Sequence, residues 1–248
     1  RALLAPAVLA LLVLALYAQT RQHDFIRYDD PIYVTRCEVV QRGLTSEGVR
    51  FAFGRTPDGH RVPLTWLSHM AVVEAAGLDP GWHHLANVLL HLGNVLLLYA
   101  LARSMGGREL ASFTAAALLA IHPLHVESVA WVTERKDVLS LFFGLATMLA
   151  WLRFARRPGA FAYAGVVVLY ALALSAKATM TTLPAVLVLL DVWPLRRAAG
   201  ARDLAKRAAE KFPLFAMAGA VAVLTIRAQS SVEAMSVPAS PLWNRAAL

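Results

Sequence analysis

Charge is what this sequence has least of. Asp, Glu, Lys and Arg make up only 16% of its 248 residues, where an ordinary soluble domain carries about a quarter. Cysteine is nearly absent too. Cys37 stands alone, so no disulfide can close within the chain, and one thiol says little about a redox compartment. The formal net charge is +8, yet no basic stripe interleaved with aromatics lies on a polar stretch, which argues against a nucleic-acid partner. Internal repeats and low-complexity tracts are also missing. What fills the chain is apolar: 58% hydrophobic residues and a mean hydropathy of +0.54. Long apolar runs alternate with short basic connectors, the pattern of a polytopic membrane protein. The chain begins at Arg1 and stops at Leu248 as a further segment starts, and so reads as a piece of a longer protein.

The first apolar run, Ala2 to Tyr17, reads as a retained helix, with a signal-peptide core as the alternative. A polar segment follows from Ala18 to Gly81. Within it, Trp66 to Gly77 predicts a surface helix suited to the membrane interface or the mouth of a bundle. Further spans are expected at about Trp82–Ala102, Leu110–Ile121, Val138–Leu152, Phe161–Ala176, Thr181–Leu195 and Phe212–Ile226, about seven membrane helices in all. A full crossing takes roughly 20 apolar residues. Leu110–Ile121 is too short alone, so it must continue through HPLHVES or stop inside a protein-lined cavity.

Basic residues orient the spans. Arg103 and Arg108 occupy one connector, and Arg153, Arg156 and Arg157 a second. Arg196, Arg197, Arg202, Lys206, Arg207 and Lys211 occupy a third. Placing these in the cytoplasm puts Asp29, His122 and Lys177 on the opposite side.

Polar groups at membrane depth must face protein or a wet cavity, and four places stand out. In FIRYDDPIY, Asp29 and Asp30 form an acidic pair beside Pro31, where a solvated turn is the plainer reading. His84, Asn87, His91 and Asn94 fall on one stripe of a helix. That stripe suits the wall of a site, or hydrogen bonds between helices. Near His122, His125 and Glu127, the spacing H-x-x-H-x-E matches no helical metal motif, so no metal or other cofactor is expected. Glu134, Arg135, Lys136 and Asp137 follow: either cations for an anionic phosphate or an internal ion-pair cluster. Lys177 follows an apolar run, where a snorkelling lysine is the bland reading. Asp191 and Trp193 read as anchors at the cytoplasmic edge.

Taken together, FIRYDDPIYVT, the N-x-x-x-H-x-x-N helix, IHPLHVESVAWVTERKDVLS and SAKATMTTLPAVLVLLDVWPL resemble the membrane part of the transmembrane and tetratricopeptide-repeat-containing proteins, with bacterial relatives among them. The resemblance runs in order from about Phe25 to Leu195. It implies an all-α, polytopic bundle of the GT-C glycosyltransferase type over residues 1–248, with tetratricopeptide repeats to follow at the C-terminal side. It further implies transfer of a sugar, mannose in the family pattern, from a polyprenyl-phosphate donor to a Ser or Thr hydroxyl of an acceptor protein. A bacterial member would sit among the lipids of the inner membrane, its site facing the periplasm or exterior.

By the same resemblance the acidic pair maps onto Asp29 and Asp30, one of them the base, with Asp29 preferred. Arg135, Lys136 and Lys177 are candidates for the donor phosphate, with His122 and His125 as hydrogen-bond donors. His84, Asn87, His91, Asn94 and Glu127 would wall the site. The alternatives are a membrane transporter and a non-catalytic membrane anchor for the repeats.

Overall fold

In the computed structural model, which describes residues 3–54 and 61–236, every regular element is helical and no strand occurs among the described residues. The stretch that runs to Leu248 lies outside them. Helix α1 (Leu4–Tyr17) runs on through a tight turn to Gln22. Three outer helices follow: α2 (Glu38–Gln41), α3 (Ser46–Phe53) and α4 (Pro63–Ala76). Next come α5 (Pro80–Ser104), α6 (Glu109–Ile121), the short α7 (Val126–Ala130), α8 (Arg135–Arg156) and α9 (Ala160–Ala176). The chain continues with α10 (Leu183–Val192), α11 (Ala201–Glu210) and α12 (Phe212–Ser236).

Local chemistry sets the helix ends. The Asp79 carboxylate accepts from Gly81 N at 2.7 Å and Pro80 holds the first helical position of α5, a site where its missing N–H costs nothing. Thr45 caps α3 in the same way, 3.0 Å from Gly48 N. Gly77 ends α4 at φ +68°, a backbone conformation that favours glycine.

Four helices are long and apolar enough to cross a membrane: Leu4–Gln22, Pro80–Ser104, Val132–Arg156 and Phe212–Ser230. A fifth crossing results if α6 and the segment Pro123–Ala130, bent by 51° from it, are counted as one. The expected count of about seven is therefore not reached on length. Helix α9 has 17 residues and α10 has 10. The apolar run of Thr181–Leu195 is cut because Trp193 is extended and Pro194 supplies no N–H to continue the ladder.

The short span at α6 resolves as a break. His122 precedes Pro123 and takes an extended backbone, φ −67° and ψ 127°, as a residue before proline is driven to do.

Helix α8 packs against α5 and α9 and touches α10. One core gathers Leu145, Trp151 and Leu152 of α8 with Tyr170 and Leu174 of α9 and Leu187 of α10. A second buries Leu9, Val13 and Tyr17 of α1 against Val88 and Val95 of α5 and Ala116 and Ala120 of α6. The segment after α1 is no loose connector: Tyr33, Val40, Trp66, Met70 and Val132 form a third core. Tyr33 and Trp66 stack at 4.3 Å with 5° between their planes. Helix α4 thus seats on the mouth of the bundle, where Thr65 Oγ1 donates to Ala176 O at 3.0 Å and satisfies a terminal carbonyl of α9.

The two ends of the bundle differ in chemistry. Arg156 at the end of α8 donates to Ser104 O at the end of α5, and Tyr163 Oη near the start of α9 donates to Glu210 O at 2.8 Å. All three basic connectors therefore share one end. Asp29, Asp30, His122 and Lys177 lie at the other.

Candidate active site at the acidic end

Asp30 is fully buried and its carboxylate accepts four hydrogen bonds. Oδ2 takes Ile26 N at 2.7 Å. Oδ1 takes Trp131 Nε1 at 3.0 Å, Thr133 N at 3.1 Å and the Thr133 hydroxyl. Oδ1 thus carries three donors and Oδ2 one, so both oxygens of Asp30 are engaged by the fold. It rivets the turn after α1 to the segment that leads into α8. Asp29 differs. It is half-buried, its backbone carbonyl accepts from Ile32 N and Tyr33 N, and its carboxylate has no hydrogen-bond or ion-pair partner among the described residues.

The helical stripe is buried throughout: His84, Asn87, His91 and Asn94 are each at most 1% exposed. Asn87 Nδ2 donates to Trp131 O at 2.9 Å while its Oδ1 accepts from Arg135 Nε at 2.8 Å. Asn94 Nδ2 donates to Val138 O at 2.9 Å. His91 Nε2 lies 3.4 Å from Ala120 O. These contacts tie α5 to α6, α8 and the Trp131 turn, as interhelical hydrogen bonds do in a bundle. His84 makes an edge contact with His23, ring centres 6.0 Å apart.

The cations fall into two settings. Arg135 is buried and its guanidinium meets neutral acceptors: Asn87 Oδ1, Ser68 O at 3.2 Å and His83 O at 2.7 Å. Lys136 pairs with Glu134 at 2.9 Å and lies 5.5 Å over the Tyr33 ring. Lys177 pairs with Asp137 and lies 3.8 Å from Glu134. Ser128 Oγ donates to Asp137 Oδ2 at 3.0 Å. Glu134, Lys136, Asp137 and Lys177 are therefore one ion-pair network of zero net charge.

Beside that network is a cavity of about 240 Å³ lined by His91, His125, Ser128, Asp137, Ser140 and Thr179, among others. His125 is half-buried, and its ring centre is 5.7 Å from that of His122. His122 and Glu127 are exposed, and His122 Nδ1 accepts from Leu124 N at 3.3 Å. Among the described residues no three His, Cys, Asp or Glu side chains converge as a metal site requires.

The structure thus gathers the acidic pair, the Trp131–Asp137 segment, Lys177 and His125 at one end. It sets Arg135 and the α5 stripe beneath them as framework. Sequence reasoning missed His69 on α4, which is fully buried and stacks on His83 at 5.8 Å. Burial, then Arg135, His83 and Lys136, hold its pKa well below the usual 6.5. It missed Thr133 as well, which the bond to Asp30 makes a site residue.

Asp191 requires a correction. It is not an anchor at a membrane edge but fully buried. It accepts from Trp151 Nε1 at 3.2 Å, Arg197 at 2.8 Å and Lys211. It closes the basic end of the bundle. Trp193 is 64% exposed, as an interface residue is.

No protein-family model and no solved structure matches the chain. Among curated proteins, protein O-mannosyl-transferase Tmtc1 of Drosophila melanogaster is 30% identical over 151 residues, 58% of this chain and 17% of the relative. Protein O-mannosyl-transferase TMTC2 of Mus musculus is 30% identical over 169 residues, 63% of this chain and 20% of the relative. The Homo sapiens TMTC2 matches to the same extent. The chain thus spans about a fifth of the length of the curated relatives it matches. Over about three-fifths of its residues it is similar to the protein O-mannosyl-transferases of the Tmtc1 and TMTC2 kind.

Proposed function

We propose that this chain is the membrane part of a GT-C glycosyltransferase that moves a sugar, mannose in the simplest case, from a polyprenyl phosphate to a Ser or Thr hydroxyl of an acceptor protein. The observation that carries the reading is the split within the acidic pair: Asp30 is bonded through both oxygens, while the carboxylate of Asp29 beside it has no partner among the described residues. The chain's similarity to protein O-mannosyl-transferases supports the reaction class.

In this reading Asp29 accepts the proton of the acceptor hydroxyl as the oxygen attacks the anomeric carbon. The C–O bond to the new oxygen forms as the bond to the donor phosphate breaks, with inversion. The electron pair leaves with the phosphate. The transition state resembles an oxocarbenium ion, so the Asp29 charge also favours the positive character that develops. The leaving group needs cations rather than an acid. Lys177 and Lys136, held at the rim by Glu134 and Asp137, supply them, with His125 as a hydrogen-bond donor from the adjoining cavity. The site faces the side opposite the basic connectors, the periplasm or exterior of a bacterial inner membrane, and the tetratricopeptide repeats follow in the longer protein.

The test is transfer by the full-length protein from polyprenyl-phosphate mannose to a Ser/Thr peptide, with Asp29→Asn and Asp30→Asn made separately. Asp29→Asn should abolish transfer at unchanged stability. Full activity of that variant would sink the mechanism. The neutral balance of the Lys136–Lys177 network favours a second reading, a non-catalytic anchor for the repeats. Full biological activity of the double variant would support that one.

A further inference from the structure

At the basic end a cavity of about 590 Å³ opens between the ends of α5 and α8, lined by Ser104, Leu149, Ala150, Leu152, Arg153, Arg156 and Arg157. Three arginines line it and, among the described residues, no carboxylate does. Arg156 is held by Ser104 O. The side chains of Arg153 and Arg157 have no ion-pair or hydrogen-bond partner among the described residues. The carboxylates described at this end are all engaged elsewhere. Glu109 takes Arg103 and Tyr99. Asp191 takes Arg197 and Lys211. Glu210 takes Arg197 and Arg207, and Asp203 takes Ala199 N. The cavity therefore carries positive charge that no described residue neutralises.

Its level is that of lipid headgroups. Helices α5 and α8 both belong to segments long and apolar enough to cross a membrane, and the cavity lies where both end. Exposed Phe161 (96%), Phe212 (71%) and Trp193 (64%) mark the same end, as aromatic side chains do at a membrane interface. Leu149, Ala150 and Leu152 supply an apolar wall below the arginines. Arginine forks bind phosphate oxygens in pairs, and basic pockets between membrane helices on the cytoplasmic side suit anionic headgroups.

We propose that this cavity is a binding site for an anionic phospholipid, its phosphate held by Arg153, Arg156 and Arg157 and the first methylenes of its acyl chains against Leu149 and Ala150. The occupant is a lipid rather than a soluble anion because the apolar wall of Leu149 and Ala150 runs from the arginines along the membrane-spanning segment of α8. The inference does not depend on the glycosyl-transfer reading.

The experiment is native mass spectrometry of the full-length protein, stripped of lipid in detergent and titrated with phosphatidylglycerol or phosphatidylcholine. The wild-type protein should bind phosphatidylglycerol at least tenfold more tightly. Arg153→Gln/Arg157→Gln should lose that tenfold preference, and Arg153→Lys/Arg157→Lys should keep part of it. Arg202→Gln/Lys206→Gln, which removes two exposed cations of α11 at the same end, should leave it intact. If the Gln pair fails to fold, the wild-type and Lys-pair titrations still decide. Equal binding of the two lipids would overturn the proposal. So would equal loss in the α11 variant, and so would displacement of phosphatidylglycerol by equimolar glycerol phosphate, which would mark a soluble-anion site.

Discussion

Asp30 and Thr133, more than 100 residues apart in sequence, are joined twice: Thr133 gives Asp30 Oδ1 both its backbone N–H at 3.1 Å and its hydroxyl. The turn that carries Asp29 therefore cannot move without the segment that carries Glu134, Lys136 and Asp137. On the proposed reading, the base and the cations are thereby held as one piece by Asp30, whose own role is structural.

The two acids should fail differently. Asp29→Asn is expected to cut transfer by about 10²–10⁴-fold, the usual loss of a general base, with an unchanged melting temperature. Asp30→Ala takes the acceptor from Trp131, Ile26 and the buried Thr133, at a cost of about 1–3 kcal/mol for each buried donor left unpaired. Thermal unfolding and transfer rate measured on the same two preparations separate these outcomes.

Arg135 should behave as framework. Arg135→Met orphans Asn87 Oδ1 and removes a second donor from the helical carbonyls of Ser68 and His83, and stability should fall by about 1–3 kcal/mol. Arg135→Lys keeps the charge but not the fork, and should recover only part of the loss. Loss of transfer at wild-type stability would instead place Arg135 in contact with the donor phosphate.

The charged knot at the basic end makes a third prediction. Asp191→Ala leaves Lys211, itself fully buried, without its countercharge, a change that costs about 3–5 kcal/mol for a buried pair. Asp191→Asn combined with Lys211→Met should be more stable than Asp191→Asn alone. Denaturation in one detergent across the three variants measures the coupling.

Acid should loosen the seat of α4. The folded protein keeps His69 neutral, because burial and nearby cations depress its pKa well below 6.5, while the unfolded chain takes up a proton near that pH. The unfolded state then binds more protons, so this contribution to stability is complete above about pH 6.5 and is lost as pH falls. Melting temperatures from pH 7.5 to 5 should drop less steeply in His69→Gln than in the wild type.

Much of this was legible in the residues. The spacing of His84, Asn87, His91 and Asn94 gave one buried face of a helix, because a 3.6-residue period leaves polar groups nowhere else to go in lipid. The break at His122 was legible in the short apolar run and in Pro123. The division of labour within the acidic pair was not. It is made by Trp131 and Thr133, about a hundred residues on, and no local pattern encodes that meeting. Asp191 was misread for the same reason, since Arg197 and Lys211 reach it only once α10, α11 and α12 have folded together. Pairing at the site is likewise tertiary: Lys177 comes to Asp137 across 40 residues.

The break after Ile121 has a consequence for the bilayer itself. With 13 residues at 1.5 Å each, α6 stands about 20 Å tall against a hydrocarbon layer of about 30 Å. Lipids on that flank face a hydrophobic mismatch, which a membrane relieves by thinning locally. A dimple of this kind brings headgroups of the outer leaflet down toward His125 and the cavity beside it. Bilayer thickness then becomes a variable for this end of the protein, and thermal stability should be higher in short-chain than in long-chain lipids.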